Sequence, residues 1–137
     1  EELGIESEVQ TEISNLNVPP GLENELKNIA IDFDGVIHDS NLGYHDGTCY
    51  GEPIYGAIES LKSLSKKFEI IIYTCKANPD RPLVNNKNGI ELIWEWLEKY
   101  NAKEYVKDIT FNKPNAIAYI DDKAIKFENW EKINKEL

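Results

Sequence analysis

From residue 29 onward, short apolar runs alternate with stretches whose apolar positions recur at helical spacing. Ile29-Ala30-Ile31 is an unbroken apolar triplet and predicts a short buried strand ending at Asp32. Residues 54–66 place Ile54, Ala57, Ile58, Leu61 and Leu64 on one face, which predicts a helix with a polar far side. Pro53 stands just ahead, where the first turn of a helix tolerates proline. FEIIIYT, residues 68–74, reads as a second strand, because β-branched and aromatic residues fit a pleated surface. A loop rich in Pro and Asn follows, then a helix over about 90–100, with Ile90, Ile93, Trp94 and Leu97 at i, i+3, i+4 and i+7. A weaker strand is expected near 106–110, and AIAYI, residues 116–120, forms a last one that runs straight into Asp121-Asp122. In the mixed tail 123–137, Ile125, Phe127, Trp130 and Ile133 are the expected packing residues.

Strands alternating with amphipathic helices predict an α/β fold, with a parallel sheet covered on both faces and right-handed crossovers. Residues 1–28 read separately, as an N-terminal acidic arm preceding one domain over 29–137. In the arm Ile5, Val9, Ile13 and Leu16 recur at about helical spacing until Pro19-Pro20-Gly21 ends the pattern. Such a stripe suits a helix docking on a partner, or a short helix or loose arm lying on its own domain.

Charge narrows the functional classes. The formal net charge is −10, of which residues 1–28, with seven Glu against Lys27 alone, hold −6. The remaining residues carry 18 acidic against 14 basic side chains. That balance argues against long nucleic acid as a partner, which needs a cationic footprint. A small anionic ligand stays open, since a metal ion and a few lysines can dominate one pocket. No apolar run is long enough to span a bilayer, so no membrane is expected. Cys49 and Cys75 are too few and too far apart for a zinc site or disulfide scaffold, and suggest reduced thiols in a cytoplasmic protein. A thiol nucleophile at Cys75 would need a base, and nothing in the sequence places His38 or His45 beside it.

A parallel sheet binds ligands beyond the carboxyl ends of its strands. The polar residues there are Asp32 with Asp34, Thr74, and Asp121 with Asp122. They come from remote parts of the chain yet are expected at one sheet edge. Carboxylates gathered there cannot all be ionised without a cation. A carboxylate facing a phosphoryl group can attack in line to form an aspartyl-phosphate, a role that suits Asp32. Asp34 can protonate the leaving oxygen and then activate water. As structural residues, Asp32 would be a turn acceptor and Asp34 a loop cap. Gly35, without a Cβ, lets the chain turn and leaves amides open to phosphate oxygens.

The set Ile31-Asp32-Phe33-Asp34-Gly35-Val36, Tyr73-Thr74, Lys113 within FNKPNA, and Asp121-Asp122 within YIDDKAIKF resembles the haloacid dehalogenase-like superfamily of phosphatases and phosphotransferases. The likeness covers about residues 29–130. It implies a three-layer, Rossmann-like domain and an Mg²⁺-dependent phosphomonoester hydrolase with Asp32 as nucleophile and Asp34 as acid/base. It further implies Mg²⁺ on Asp32, the Asp34 backbone carbonyl and Asp121. Adjacent side chains on an extended chain point apart, so Asp122 is expected to act through a bound water or to orient a neighbour, or as a structural residue to cap a helix ahead of 123–127. The phosphate would meet Gly35, the Thr74 hydroxyl and the Cys75 amide, and Lys113 would neutralise it and steady Asp32. Lys76, Arg81, Lys87 and Lys123 are available as a second cation.

Family members often carry an inserted cap domain. Here residues 35–53 leave room only for a small flap, in which Asp46-Gly47 signals a tight hairpin. The expectation is a capless member whose open site is covered by its substrate or by a neighbouring subunit. Polar residues in 39–52 and 75–89 suit a sugar phosphate, a nucleotide or a phosphorylated macromolecule. Transfer to an alcohol by the same site, or a metal- or phosphate-binding module without turnover, are the alternatives. A receiver domain shares the acids, Thr and Lys, but would place its paired acids after the first strand.

Overall fold

A computed structural model describes residues 27–137, so the expectations for the arm lie almost entirely outside the described residues. The fold is α/β, built on a four-stranded, all-parallel sheet. Strand β1 (Asn28–Ile31) begins one residue earlier than the expected domain boundary. Helix α1 (Ala57–Ser65), strand β2 (Glu69–Tyr73), helix α2 (Gly89–Lys99), strands β3 (Val106–Thr110) and β4 (Ala118–Ile120), and helix α3 (Trp130–Glu136) follow. In space the strands run β3-β2-β1-β4.

Apolar burial holds this order in place. Ile29 and Ile31 of β1 and Ile70 and Ile72 of β2 share one face and one core with Leu61 and Leu64 of α1 and Ile93, Trp96 and Leu97 of α2. Ala30 and Ile71, paired on the opposite face, are buried as well, which is why these strands read as unbroken apolar runs. Helix α2 starts at a capping box: Asn88 Oδ1 accepts from Glu91 N at 2.9 Å, and Glu91 Oε1 accepts from Asn88 N at 3.1 Å.

Three local expectations need correction. Pro53 does not open α1. It lies in an antiparallel bridge with His38, and the Ile54 amide donates to Ile37 O. The helix begins only after Gly56 turns the chain at φ 81°. The 39–52 segment is a loop of turns rather than a tight hairpin. Asp46 Oδ1 accepts from both the amide and the hydroxyl of Thr48, so the Asp-Gly pair serves a local turn instead of joining two strands. The base of the loop is closed by the Asp39 amide on Glu52 O. In the tail, Phe127 and Trp130 are 58% and 70% exposed and Ile125 is exposed too, while α3 contributes no fully buried residue. The Phe127 and Trp130 rings meet edge-on, centroids 5.4 Å apart, so these apolar residues partner each other outside the core.

Candidate active site

Strand order reverses at one point. The chain proceeds from β1 to β2 to β3 in one direction, then returns to lay β4 on the other side of β1. In open parallel sheets the crevice at such a reversal, beyond the strands' carboxyl ends, is where ligands bind. Ile31 pairs with both Ile72 and Ile120, so Asp32 and Asp121 leave the sheet at one level, beside Tyr73 at the end of β2. The Asp32 amide donates to Ile120 O at 2.9 Å, which carries the β1–β4 pairing one residue past the strand.

Asp32, Asp121 and Asp122 each present a carboxylate oxygen within 4.8 Å of the others. The expected outward turn of Asp122 is therefore not seen, and Gly35 explains how it is accommodated. A Cβ on Gly35 would fall 2.5 Å from Asp122 Oδ2, and its φ of +86° is strained for any side chain. Gly35 makes room for Asp122. Its amide donates to His38 O at 2.9 Å, so that group is engaged rather than open to phosphate. Asp121 is oriented by the Lys123 amide, which donates to its Oδ1 at 2.7 Å.

This clustering carries an electrostatic cost. The Asp32 pKa is pushed from 3.8 up to about 6, first by burial and then by the negative charges of Asp121, Asp122 and Asp34; the Phe33 amide, donating to its Oδ1 at 2.8 Å, pulls the other way. Three clustered carboxylates are a hard oxygen donor set of the kind Mg²⁺ takes, and a cation between them would offset the repulsion.

Asp34 turns elsewhere. Its Oδ1 lies 2.8 Å from Nδ1 of the fully buried His38, and its Oδ2 lies 3.8 Å from Lys76 Nζ. Lys76 is 4% exposed, and its ammonium also reaches Gly47 O at 3.5 Å and Thr48 O at 3.4 Å. Thr74 is buried and caps the 3-10 turn Cys75–Ala77 by accepting the Lys76 amide at 3.2 Å. That contact does not use the hydroxyl proton. Cys75 opens the turn and is exposed. Cys49 is half-buried, and burial above all pushes its thiol up to about 12, which keeps it protonated.

Lys113, Arg81 and Lys87 make their contacts elsewhere. Lys113 is exposed, with its ammonium 4.6 Å from the Tyr119 ring centroid, and no ion pair joins it to Asp32. Arg81 stacks over Tyr44 at 4.9 Å, and Lys87 pairs with Glu95. Lys76, by contrast, is brought to a motif carboxylate, Asp34. The sequence gives no sign of the role of His38, because an isolated His four residues after Asp34 carries no signal of what will surround it.

No family model matches the chain, and no curated protein or solved structure does either.

Proposed function

We propose that this chain is an Mg²⁺-dependent phosphohydrolase that works through an aspartyl-phosphate on Asp32. The observation that carries the reading is the difference in surroundings of two aspartates two residues apart at the strand-order reversal: Asp32 stands among carboxylates and Asp34 stands between His38 and Lys76. A shared metal-and-nucleophile role suits the first environment, and a positioned acid/base suits the second. We read the fold as a minimal Rossmann-like domain without an inserted cap, since among the described residues no helix or strand lies between β1 and α1.

In the first step an Asp32 carboxylate oxygen bonds to phosphorus, the bond to the leaving oxygen breaks, and Asp34 gives that oxygen its proton. In the second step Asp34 takes a proton from water, whose oxygen bonds to phosphorus as the bond to Asp32 breaks. Asp32, Asp121 and Asp122, with the Asp34 carbonyl, would hold Mg²⁺, which when bound supplies positive charge against the carboxylates and the phosphate. The Thr74 hydroxyl and the Cys75 amide remain the proposed phosphate contacts, whereas the Gly35 amide is taken by His38 O, and Lys76 joins Lys113 as a proposed neutralising cation. The substrate class we propose is a polar phosphomonoester, such as a sugar phosphate, a nucleotide or a phosphate on a macromolecule that covers the site. No helix among the described residues is long and apolar enough to cross a membrane. The free cysteines fit a reducing compartment, and we propose a cytoplasmic setting.

The test is a phosphatase screen over these ester classes with Mg²⁺ and with excess EDTA, together with acid-quench trapping of phosphoenzyme. Turnover that needs the metal and a trapped acyl phosphate lost in Asp32→Asn are expected. Full activity in EDTA on metal-free protein would overturn the reading.

A further inference from the structure

Both oxygens of Asp34 are held by groups that are themselves held by the 39–52 loop. Lys76 reaches Asp34 Oδ2 and the carbonyls of Gly47 and Thr48. His38 Nε2 lies 2.8 Å from the Gly51 amide, which donates to it. A ring nitrogen that accepts carries no hydrogen, so the ring proton sits on Nδ1 and is donated to Asp34 Oδ1. The ring cannot turn freely. It is fully buried, lies parallel to Phe33 with centroids 5.1 Å apart, and meets the edges of Tyr50 and Trp96. Gly51 is fixed in turn: Trp96 Nε1 donates to its carbonyl at 2.9 Å. A Cβ there would fall 2.0 Å from Asp39 O and 3.1 Å from His38 Nε2, so the close approach of the amide requires glycine.

Resting on the phosphohydrolase reading above, we propose that His38 is a positioning residue whose Nδ1–H, set by the Gly51 amide, fixes the Asp34 carboxyl group for proton transfer to the leaving oxygen. With Oδ1 accepting from His38, Oδ2 is the oxygen that carries the transferred proton. The 39–52 loop thereby takes part in the site, because its Gly51 amide determines which way the acid/base faces.

Two measurements test this apart from the hydrolase reading. In the full 137-residue chain, nitrogen-15 NMR of the imidazoles is expected to find His38 as the Nδ1–H tautomer. An Nε2–H tautomer overturns the inference whatever the activity. The second compares kcat/KM for p-nitrophenyl phosphate and an alkyl phosphate with Mg²⁺. That parameter ends at formation of the aspartyl-phosphate, where an alkoxide leaving group needs the Asp34 proton far more than a nitrophenolate does. His38→Gln places its amide near the Nε2 position and loses the donor to Asp34, whereas His38→Asn keeps an N–H at the Nδ1 position. His38→Gln is expected to lose about tenfold more activity on the alkyl ester than on the aryl ester, and His38→Asn to restore the ratio. Equal losses on both esters in both variants would reduce His38 to packing and overturn the inference. No turnover of either ester by the wild-type chain would strike the hydrolase reading, and the inference would fall with it.

Discussion

Asp32 and Asp34 are two residues apart in sequence and occupy opposite kinds of environment. Around Asp34 the protein supplies its own partners, a buried imidazole N–H and a buried ammonium, both tied to one loop. Around Asp32 it supplies two more carboxylates and one backbone amide. The first half is complete within the polypeptide, and the second is electrostatically unfinished. The contrast fits the two tasks proposed for these residues. A group that transfers protons gains from being held still by donors. A group that shares a metal gains from an unsatisfied field that only a cation relieves. Substitutions on the two sides should therefore fail in different ways.

The largest effect is expected at Asp32. Asp32→Asn removes the attacking oxygen and should lower kcat by more than about 10³-fold, with no phosphoenzyme in acid-quench experiments. Asp34→Asn keeps the nucleophile, so an activated aryl phosphate should still form acyl phosphate, which then breaks down slowly. An equal phosphoenzyme burst from Asp32→Asn and wild type would assign the nucleophile elsewhere.

Next comes Asp121, where two opposite signs are expected. Without metal, Asp121→Asn removes a charge that repels Asp32, so its Tm should rise above that of wild type. With Mg²⁺ the order should reverse. A ligand at about 100 times its Kd stabilises a folded chain by about 2.7 kcal/mol, and the variant should lose most of that gain. Calorimetric scans with and without Mg²⁺ read both signs. Matching Mg²⁺ responses in the two proteins would remove Asp121 from the metal site.

How far the sequence carries follows the same division. The carboxyl-end acids were legible because apolar triplets such as Ile29-Ala30-Ile31 stop abruptly at aspartates, and a parallel register brings such stops to one level. The environment of Asp34 was not. It depends on Gly51 returning beside His38 and on Trp96 pinning Gly51, contacts that join residues far apart and leave no periodic trace. Lys76 is obscure for the same reason: a lysine reads as solvated until the Gly47 and Thr48 carbonyls fold over it. The tail misled in the other direction. Phe127 and Trp130 have core-like composition but meet each other, exposed, outside the core. Local pattern located the strands and helices, while loop closure decided which polar groups share a site.

Lysine substitutions sharpen the contrast further. Lys76→Met leaves the Gly47 and Thr48 carbonyls short of a buried donor and removes the ammonium beside Asp34, and should destabilise the fold by about 1–3 kcal/mol. It should also lower kcat/KM, since Asp34 loses a contact. Lys113→Met removes an exposed cation–π contact with Tyr119, worth about 0.5–1 kcal/mol. Urea titrations and kinetics of both variants check this. A larger loss of activity from Lys113→Met would mean that the working site closes around Lys113, as the superfamily resemblance implies, and that Lys76 serves the loop alone.

The effect most specific to the Asp32 side is a pH slope. The Asp32 pKa is raised from 3.8 to about 6, chiefly by burial and then by its carboxylate neighbours. Between those values the folded chain holds a proton there that the unfolded chain has released. Stability falls with rising pH wherever the folded state binds more protons. The contribution from this site is thus best below the unfolded value and declines as pH rises through the folded one. Other carboxylates titrate over the same range, so the useful quantity is wild-type stability minus that of Asp32→Asn, whose amide does not titrate. In metal-free buffer this difference should move against wild type from pH about 4 to about 6 and then level off, following the two ends of the Asp32 shift. Saturating Mg²⁺ should flatten the slope, because a bound cation favours the ionised carboxylate. A difference that is flat across the window without metal would mean that the field and burial at Asp32 are weaker than the geometry implies, and the contrast with Asp34 would lose its electrostatic half.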